Sequence, residues 1–449
     1  MFKKILVANR GEIAVRIIRA CRAMGIATVA VYSVADRHAL HVYLADESIC
    51  IGPAPARESY LNMQAIVSAA VGLGVDAIHP GYGFLSENST FARTCIDNGI
   101  AFIGPPPELI DRMGNKAEAR KTMIDAGVEV TPGTEDPVYL LSDALTAARE
   151  IGWPIMIKAS SGGGGKGMRV SWSEDDFADQ FKIAQRESVS SFADNTMYLE
   201  RYVAAPHHIE VQVIADKFGK VVALGDRDCS VQRNHQKMIE ESPSPFLDTD
   251  QRAALIDAAI KAAEAVHYVS AGTIEFLVDA ERNHYFMEMN TRIQVEHPVT
   301  EMTTGIDLIQ EMIRVAAGEP LSFSQDEVMF HGHAIECRVN AEEPARDFLP
   351  SPGVVSQMHL PGGNGVRVDT ATYDGIEISP YYDSLLAKII THGRNRKEAL
   401  AKMRTAIEEM VVIGVKTNLD FQYSILNNEF FEAGEVDTGF VERFLKGDL

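Results

Sequence analysis

Cysteine is scarce and scattered. The five cysteines, Cys21, Cys50, Cys95, Cys229 and Cys337, are odd in number and include no Cys-x-x-Cys pair. That excludes a disulfide scaffold and a zinc site, and it fits a reducing compartment. Long apolar runs are missing too. None reaches the ~18 residues of a spanning helix, so no membrane segment is expected. Positive charge is in deficit: 42 Lys and Arg stand against 63 Asp and Glu, a formal net charge of −21. Such a balance argues against a general nucleic-acid or anionic-lipid surface. The opening MFKKILVANRGE enters a strand at once, so no secretory leader is expected and the cytoplasm is the expected compartment. Internal repeats and low-complexity tails are also lacking.

Two nucleotide signatures fail in the same way. The first β-α turn reads NRGEIA, without the GxGxxG spacing that lets a pyrophosphate approach the backbone, so NAD binding is rejected. Gly162, Gly164 and Gly167 formally satisfy that spacing, but the MRVSW that follows reads as a strand. No Gly-Lys-Ser/Thr occurs at Walker A spacing either.

What is present is an enzyme-like chain. At 449 residues, 46% hydrophobic and 23% charged, it exceeds one ordinary core and should form two to four domains. KILVA, ATVAVYS, VDAIHPGYG and AFIGP read as strands, separated by helical spacing at Ile13, Ile17, Cys21 and Met24. A doubly wound parallel sheet is expected for roughly the first 110 residues. The HPGYG turn at Tyr82 stands where such sheets place ligands, though it is equally well a structural turn.

The densest chemistry lies in TIEFLVDAERNHYFMEMNTRIQVE, from Thr273 to Glu296. Two runs of period two flank a polar break, which predicts a hairpin. If Asp279 pairs with His284, a four-residue turn puts Glu275 directly opposite Glu288, with Asn290 on the same face. Facing carboxylates at roughly 5 Å repel. A divalent cation removes the repulsion, and two carboxylates plus an amide suit Mg²⁺ or Mn²⁺. Arg292, Gln294 and Glu296 continue the even-numbered series, yet a straight strand would spread the set over ~26 Å. The chain should therefore bend after Asn290. The bend brings a forked cation suited to a small oxyanion and a carboxylate able to take a proton near the metal.

Elsewhere, Lys158 ends the strand WPIMIK before a glycine-rich turn containing Gly164 and Gly165. Its backbone N–H groups could wrap phosphate oxygens, and it should move to admit a nucleotide, as a mobile lid. The run from Arg227 to Lys237 is polar and basic, a candidate anion surface or an exposed loop. Residues 251–267 predict a helix with Ile256, Ile260 and Ala263 inward, and a further helix is expected near 305–317. AIECRV reads as a strand, and the Pro- and Gly-punctuated stretch after Pro350 predicts a small antiparallel sheet. Asn395 with Glu398 resembles a capping box before a helix whose face is Leu400, Met403, Ile407 and Met410. Lys402 sits in that helix without the Met-Lys-Met of a biotin attachment site.

Taken together, NRGEIAVRIIRA, HPGYGFLSEN, SGGGGKGMRV, RDCSVQR, EMNTRIQVEHPVTE and LPSPG resemble biotin carboxylase, an ATP-grasp enzyme, along essentially the full length. The resemblance implies an α/β chain in three parts. These are an N-terminal doubly wound domain (1–114), an ATP-grasp domain (115–330) with a lid at about 132–203, and a mainly antiparallel α+β C-terminal domain (331–449). It implies that Lys116, Lys158, Gly164 and Gly165 hold ATP phosphates, that Glu200 and the Val203 backbone meet adenine, and that His208 and Gln232 lie toward the ribose, with His235 among them. Glu275, Glu288 and Asn290 carry two metal ions on this reading. Lys237, Arg292, Gln294 and the Val295 amide cradle bicarbonate, with Glu296 as base. Arg338 and Tyr82 meet biotin, Arg338 stabilising carboxyphosphate or the biotin enolate. Asn234 departs from the pattern, since many relatives carry Arg there. Biotin would arrive on a separate carboxyl carrier protein, with a carboxyltransferase component downstream, acetyl-CoA as the expected acceptor and a homodimer as the expected assembly. Rival readings are another ATP-grasp ligase joining a carboxylate to an amine, a carboxylase component for 2-oxo acids or other acyl-CoAs, and a regulatory protein without catalysis.

Overall fold

Strand β1 (Lys4–Val7) is the apolar centre of the N-terminal part, with Ile5, Leu6 and Val7 fully buried. A strand covered on both faces reads as a continuous apolar run, as parallel sheets require. Helix α1 (Gly11–Ala23) leads to β2 (Ala27–Ser33), followed by β3 (Glu47–Gly52), β4 (Ala77–His79) and β5 (Ala101–Phe102). The strands are parallel in the order β3-β2-β1-β4-β5. Separate apolar cores lie on the two faces, one built on Ile5 and Val7 with α1, the other on Leu6 with Ile66 and Phe91. The order reverses between β1 and β4, where such sheets leave a crevice. Gly81, at the end of β4, has φ +63°, and a Cβ there would meet Ile13 at 3.0 Å and Asn9 at 3.1 Å. Only glycine fits that turn.

The computed structural model describes residues 1–159, 168–192 and 194–449. Gly164 and Gly165, and the glycine-rich turn expected to act as a lid, lie outside the described residues. Two compact units emerge. One comprises Met1–Ala119, His207–Glu275 and Glu288–Leu449; the other comprises Arg120–Pro206 and Phe276–Met287. The second unit holds an antiparallel sheet of β6 (Ile155–Ala159), β7 (Met168–Ser171) and β8 (Met197–Arg201) in the order β7-β6-β8. Its core joins Ile155, Ile157 and Leu199 to Phe177 and Phe181 of the helix Glu174–Phe192.

Eight of the remaining strands build one large sheet. They are β9 (His207–Ala215), β10 (Val221–Arg233), β11 (Gln236–Ser242), β12 (Ser270–Val278), β13 (His284–Asn290), β14 (His333–Asn340), β15 (Val366–Thr370) and β16 (Leu385–Gly393), in the order β13-β12-β9-β10-β11-β14-β16-β15. Helices α2 (Thr249–Ala265), α3 (His297–Thr304) and α4 (Arg396–Glu409) accompany it.

Several expectations are corrected. The run from Arg227 to Arg233 is no loop: it continues β10 as a strand buried up to Gln232, and the exposed residues are Asn234 and His235 of the turn with Gln236. Both turn residues have positive φ, 49° and 63°, as a tight hairpin demands, and Asn tolerates that conformation better than most residues. In the central hairpin, Asp279 N–H bonds to Asn283 O at 3.0 Å, and Arg282 N–H to Asp279 O at 2.9 Å with Arg282 at φ +67°. Asp279 therefore pairs with Asn283, not His284, and the loop has three residues closed by a left-handed one. Helix α2 turns Leu255, Ala259 and Ala262 inward and leaves Ile256 and Ile260 half-buried. The helix expected near 305–317 is found at Leu308–Ala316, and a separate helix, α3, precedes it and ends at Gly305 with φ +75°. Asn395 caps α4 through the Glu398 N–H at 3.0 Å, but the Glu398 carboxylate turns to Arg394, so the box is half formed. After Pro350 the short strands pair two by two, while β15 and β16 extend the large sheet.

Candidate active site

Alternation along β9 aims His208, Glu210 and Gln212 to one side and Ile209, Val211 and Val213 to the other. All of them are buried. Across the ladder Glu210 stands directly opposite Arg227 of β10, Gln232 opposite Lys237 of β11, Glu240 opposite Glu336 of β14, and Arg338 opposite Lys388 of β16. A row of polar side chains thus crosses the sheet, and it needs partners, because an unpaired buried charge is costly.

The partners are present. Glu275 Oε1 accepts from Asn290 Nδ2 at 2.8 Å, Gln294 Nε2 at 2.7 Å and Lys237 Nζ at 3.0 Å, while Oε2 is 2.9 Å from His208 Nε2. Lys237 also donates to Glu210 at 2.7 Å and Glu296 at 2.6 Å. Arg338 reaches Glu296 at 2.9 Å and lies 2.5 Å from Glu240, there without hydrogen-bond alignment. Strand β13 ends at Asn290, and Glu296 sits at the N-terminus of α3. The bend expected after Asn290 brings Gln294 onto Glu275, the carboxylate that Asn290 also meets, and brings Glu296 onto Lys237, the cation it shares with Glu275.

Arg227 holds this bend and was not singled out from the sequence. Fully buried, it donates to Glu210 at 2.5 Å, Gln212 at 2.7 Å, Thr300 at 3.0 Å, Thr273 at 3.1 Å and Gln294 Oε1 at 2.9 Å. Glu87, in the HPGYGFLSEN run, was also overlooked. It accepts from Arg292 Nε at 2.8 Å and the Thr291 N–H at 3.1 Å, and Arg292 Nη2 reaches Asn290 at 3.1 Å. The even-numbered polar positions of β9 and the Arg inside RDCSVQR were the available signals.

The electrostatics follow from this packing. Burial would raise the Glu296 carboxyl, but Lys237, Arg338 and Arg227 outweigh it and hold the group well below the usual carboxylate range. Burial likewise opposes the charge on Lys237, yet Cys229, Glu210, Glu296 and Glu275 keep its ammonium protonated. Glu288 is shifted up, by burial first and then by the Glu275 charge. A carboxyl destabilised by a neighbouring carboxylate is one that a divalent cation would relieve, so these acids and the Asn290 amide fit a hard metal ion.

Among the other expected site residues, Lys116 is close enough to Glu288 to act on its charge, and Arg338 acts likewise on Tyr82. Lys116 is exposed at the start of the helix Lys116–Asp125, and His235 is exposed on the β10–β11 turn. Lys158, Glu200 and Val203 belong to the second unit, where Lys158 and Glu200 pair with each other across β6 and β8. Tyr82 donates its hydroxyl to Glu12, and the Val295 carbonyl accepts from Lys388 at 2.7 Å.

Known proteins resemble this chain along its whole length. Three family profiles match in succession: Biotin carboxylase, N-terminal domain, over residues 1–110; Carbamoyl-phosphate synthase L chain, ATP binding domain, over 115–324; and Biotin carboxylase C-terminal domain over 336–443. Biotin carboxylase 1 of Bacillus subtilis is 53% identical over 445 residues, covering 99% of both chains. The chain belongs to the biotin carboxylase family. Its fold is the ATP-grasp fold of that family. Biotin carboxylase of Pseudomonas aeruginosa is 49% identical over 449 residues, with 100% of both chains covered. Among solved structures, the biotin carboxylase domain dimer of the Hydrogenobacter thermophilus 2-oxoglutarate carboxylase, with MgADP, ADP and bicarbonate, matches with a TM-score of 0.91. It is 46% identical, with 99% of this chain and 98% of that one covered.

Proposed function

We propose that this chain is the biotin carboxylase component of a biotin-dependent carboxylase, using ATP and bicarbonate to carboxylate biotin carried on a separate protein. The observation that carries the reading is Glu296 held between Lys237 and Arg338, beside Glu275 and Asn290, in a chain of this family. In the reading, Lys237, Arg292, Gln294 and the Val295 N–H cradle bicarbonate. Glu296, ionised by its two cations, accepts the bicarbonate proton as the anion attacks the γ-phosphoryl group in line. An anion arriving beside Lys237 and Arg338 weakens their hold on Glu296 and makes it a better base at that moment. Carboxyphosphate then yields CO₂ and phosphate, and phosphate takes the proton of the biotin ureido nitrogen, which captures CO₂. Arg338 stabilises the developing negative charge, with Tyr82 at the biotin.

In the reading, Lys116 and Lys158 neutralise ATP phosphates, with Gly164 and Gly165 assigned to the same phosphates, Glu200 and Val203 meet adenine, and His208, Gln232 and His235 lie toward the ribose. Glu275, Glu288 and Asn290 would hold Mg²⁺ or Mn²⁺, which supplies charge neutralisation at the phosphates. Exclusion of water protects carboxyphosphate from hydrolysis. On this reading the chain divides near residues 114 and 330, with a lid at about 132–203. It works in the cytoplasm as a homodimer, passing carboxybiotin to a carboxyltransferase component with acetyl-CoA as acceptor.

Bicarbonate-dependent ATP cleavage stimulated by free biotin is the direct assay. Glu296→Ala should lose turnover by about 10²- to 10⁴-fold, the usual worth of a general base, while nucleotide affinity persists. A variant turning over at the wild-type rate sinks the assignment of Glu296.

A further inference from the structure

At the crevice between β1 and β4, where a doubly wound sheet ordinarily receives a ligand, residues that follow the two strands meet a side chain from far along the sequence. Lys388 of β16 is fully buried. Its Nζ lies 2.9 Å from Glu12 Oε1 in the first turn of α1 and donates to the Val295 carbonyl at 2.7 Å. Glu12 in turn accepts from the Tyr82 hydroxyl, at the end of β4. Asn9 braces the same loop by donating to Pro80 O at 2.6 Å and Tyr82 O at 2.8 Å.

We propose that Lys388 is a positioning residue for the reaction, one buried cation that orients the bicarbonate segment through Val295 and the biotin-side Tyr82 through Glu12. The inference rests on the function proposed above. The carbonyl it grips belongs to the peptide joining Val295 to Glu296, so the grip sets the direction in which Glu296 leaves the backbone. His297 Nδ1 lies 2.7 Å from the neighbouring Gln294 carbonyl, so two successive peptides of the segment are held from behind.

A plain stabilising ion pair would need only Glu12. Lys388 instead directs a second donor to a backbone carbonyl that carries no charge. A charged donor holds a buried acceptor more strongly than a neutral one does, which fixes the peptide plane. Burial opposes the charge on Lys388, but Glu12, Glu336 and Asp369 keep it protonated, so the grip persists across the working pH range.

The test compares wild type, Glu12→Gln, and the double variant Glu12→Gln/Lys388→Met in the full chain, measuring the KM for bicarbonate, the KM for ATP and the melting temperature. Replacing both members of a buried pair with neutral groups of similar shape is often tolerated, so the double variant is expected to fold. Its bicarbonate KM should rise by about tenfold or more, the loss of one charged hydrogen bond, with the ATP KM within about twofold. Glu12→Gln, which loosens Lys388 without removing it, should raise the bicarbonate KM by about threefold. A folded double variant with an unchanged bicarbonate KM overturns the proposal. If the double variant does not fold, an unchanged bicarbonate KM in Glu12→Gln overturns it instead. Absence of bicarbonate-dependent turnover in the wild type would reject the functional reading and leave the Lys388 inference without a reaction to position.

Discussion

Glu240 faces Glu336 across the β11–β14 ladder, both carboxylates fully buried, with Arg338 beside them. Burial is the largest influence on Glu240; Arg338 opposes it and Glu296 reinforces it, leaving the carboxyl raised to about 7 from 4.5. A carboxyl whose pKa rises on folding takes up a proton as the chain folds. The stability this contributes is present below about pH 4.5 and is lost as pH climbs through about 7. Glu240→Gln removes that dependence. Melting curves from about pH 5 to 7.5 should fall less steeply for the variant than for the wild type. Parallel curves would mean that Glu240 is ionised throughout. At this scale Arg227 matters most for architecture, since five buried acceptors converge on one guanidinium.

The element that organises the site is the β12–β13 hairpin with the bend that follows it. Its tip is one residue tighter than the spacing predicts, yet Glu275 and Asn290 still meet at 2.8 Å. Such tolerance is physically reasonable, because the turn sets register near the tip while the buried polar contacts set it at the base. Glu288, whose carboxyl is shifted up by burial and by the Glu275 charge, is best probed with the hairpin intact. Glu288→Gln should leave the circular dichroism spectrum unchanged and lower turnover by about 10²- to 10³-fold. Near-normal rates with a normal dependence on magnesium concentration would remove it from the metal site.

At the scale of the whole chain, a net charge of −21 coexists with a site rich in Lys and Arg. The two are compatible because Arg227 is buried and Lys237 and Arg338 are largely enclosed, each paired with carboxylates. Lys402, the nearest approach to a biotinylation motif, lies within α4 with Nζ donating to His392 O at 2.8 Å. The chain produced together with a biotin ligase should therefore show the mass of the unmodified polypeptide. A covalently biotinylated fraction would contradict the separate carrier. Among the described residues, no helix is long and apolar enough to cross a membrane.

Periodicity and motif spacing were enough to foresee the parallel N-terminal sheet, a hairpin with Glu275 and Asn290 at its base, and the bend that returns Gln294 and Glu296 to it, although the hairpin register at the tip is one residue off the expected one. Each depends on local geometry: side chains alternate along a strand, and like charges placed together imply a counter-charge. The run from Arg227 to Arg233 defeated the same reasoning, because its polar residues are buried by strands distant in sequence, and local polarity looks identical in a loop. Glu12 and Lys388 stand near opposite ends of the chain and carry no mark of their partnership along it. Only the folding of β16 onto the β1–β4 crevice brings an ammonium to a carboxylate and a peptide carbonyl, since buried charges choose their partners by proximity in space.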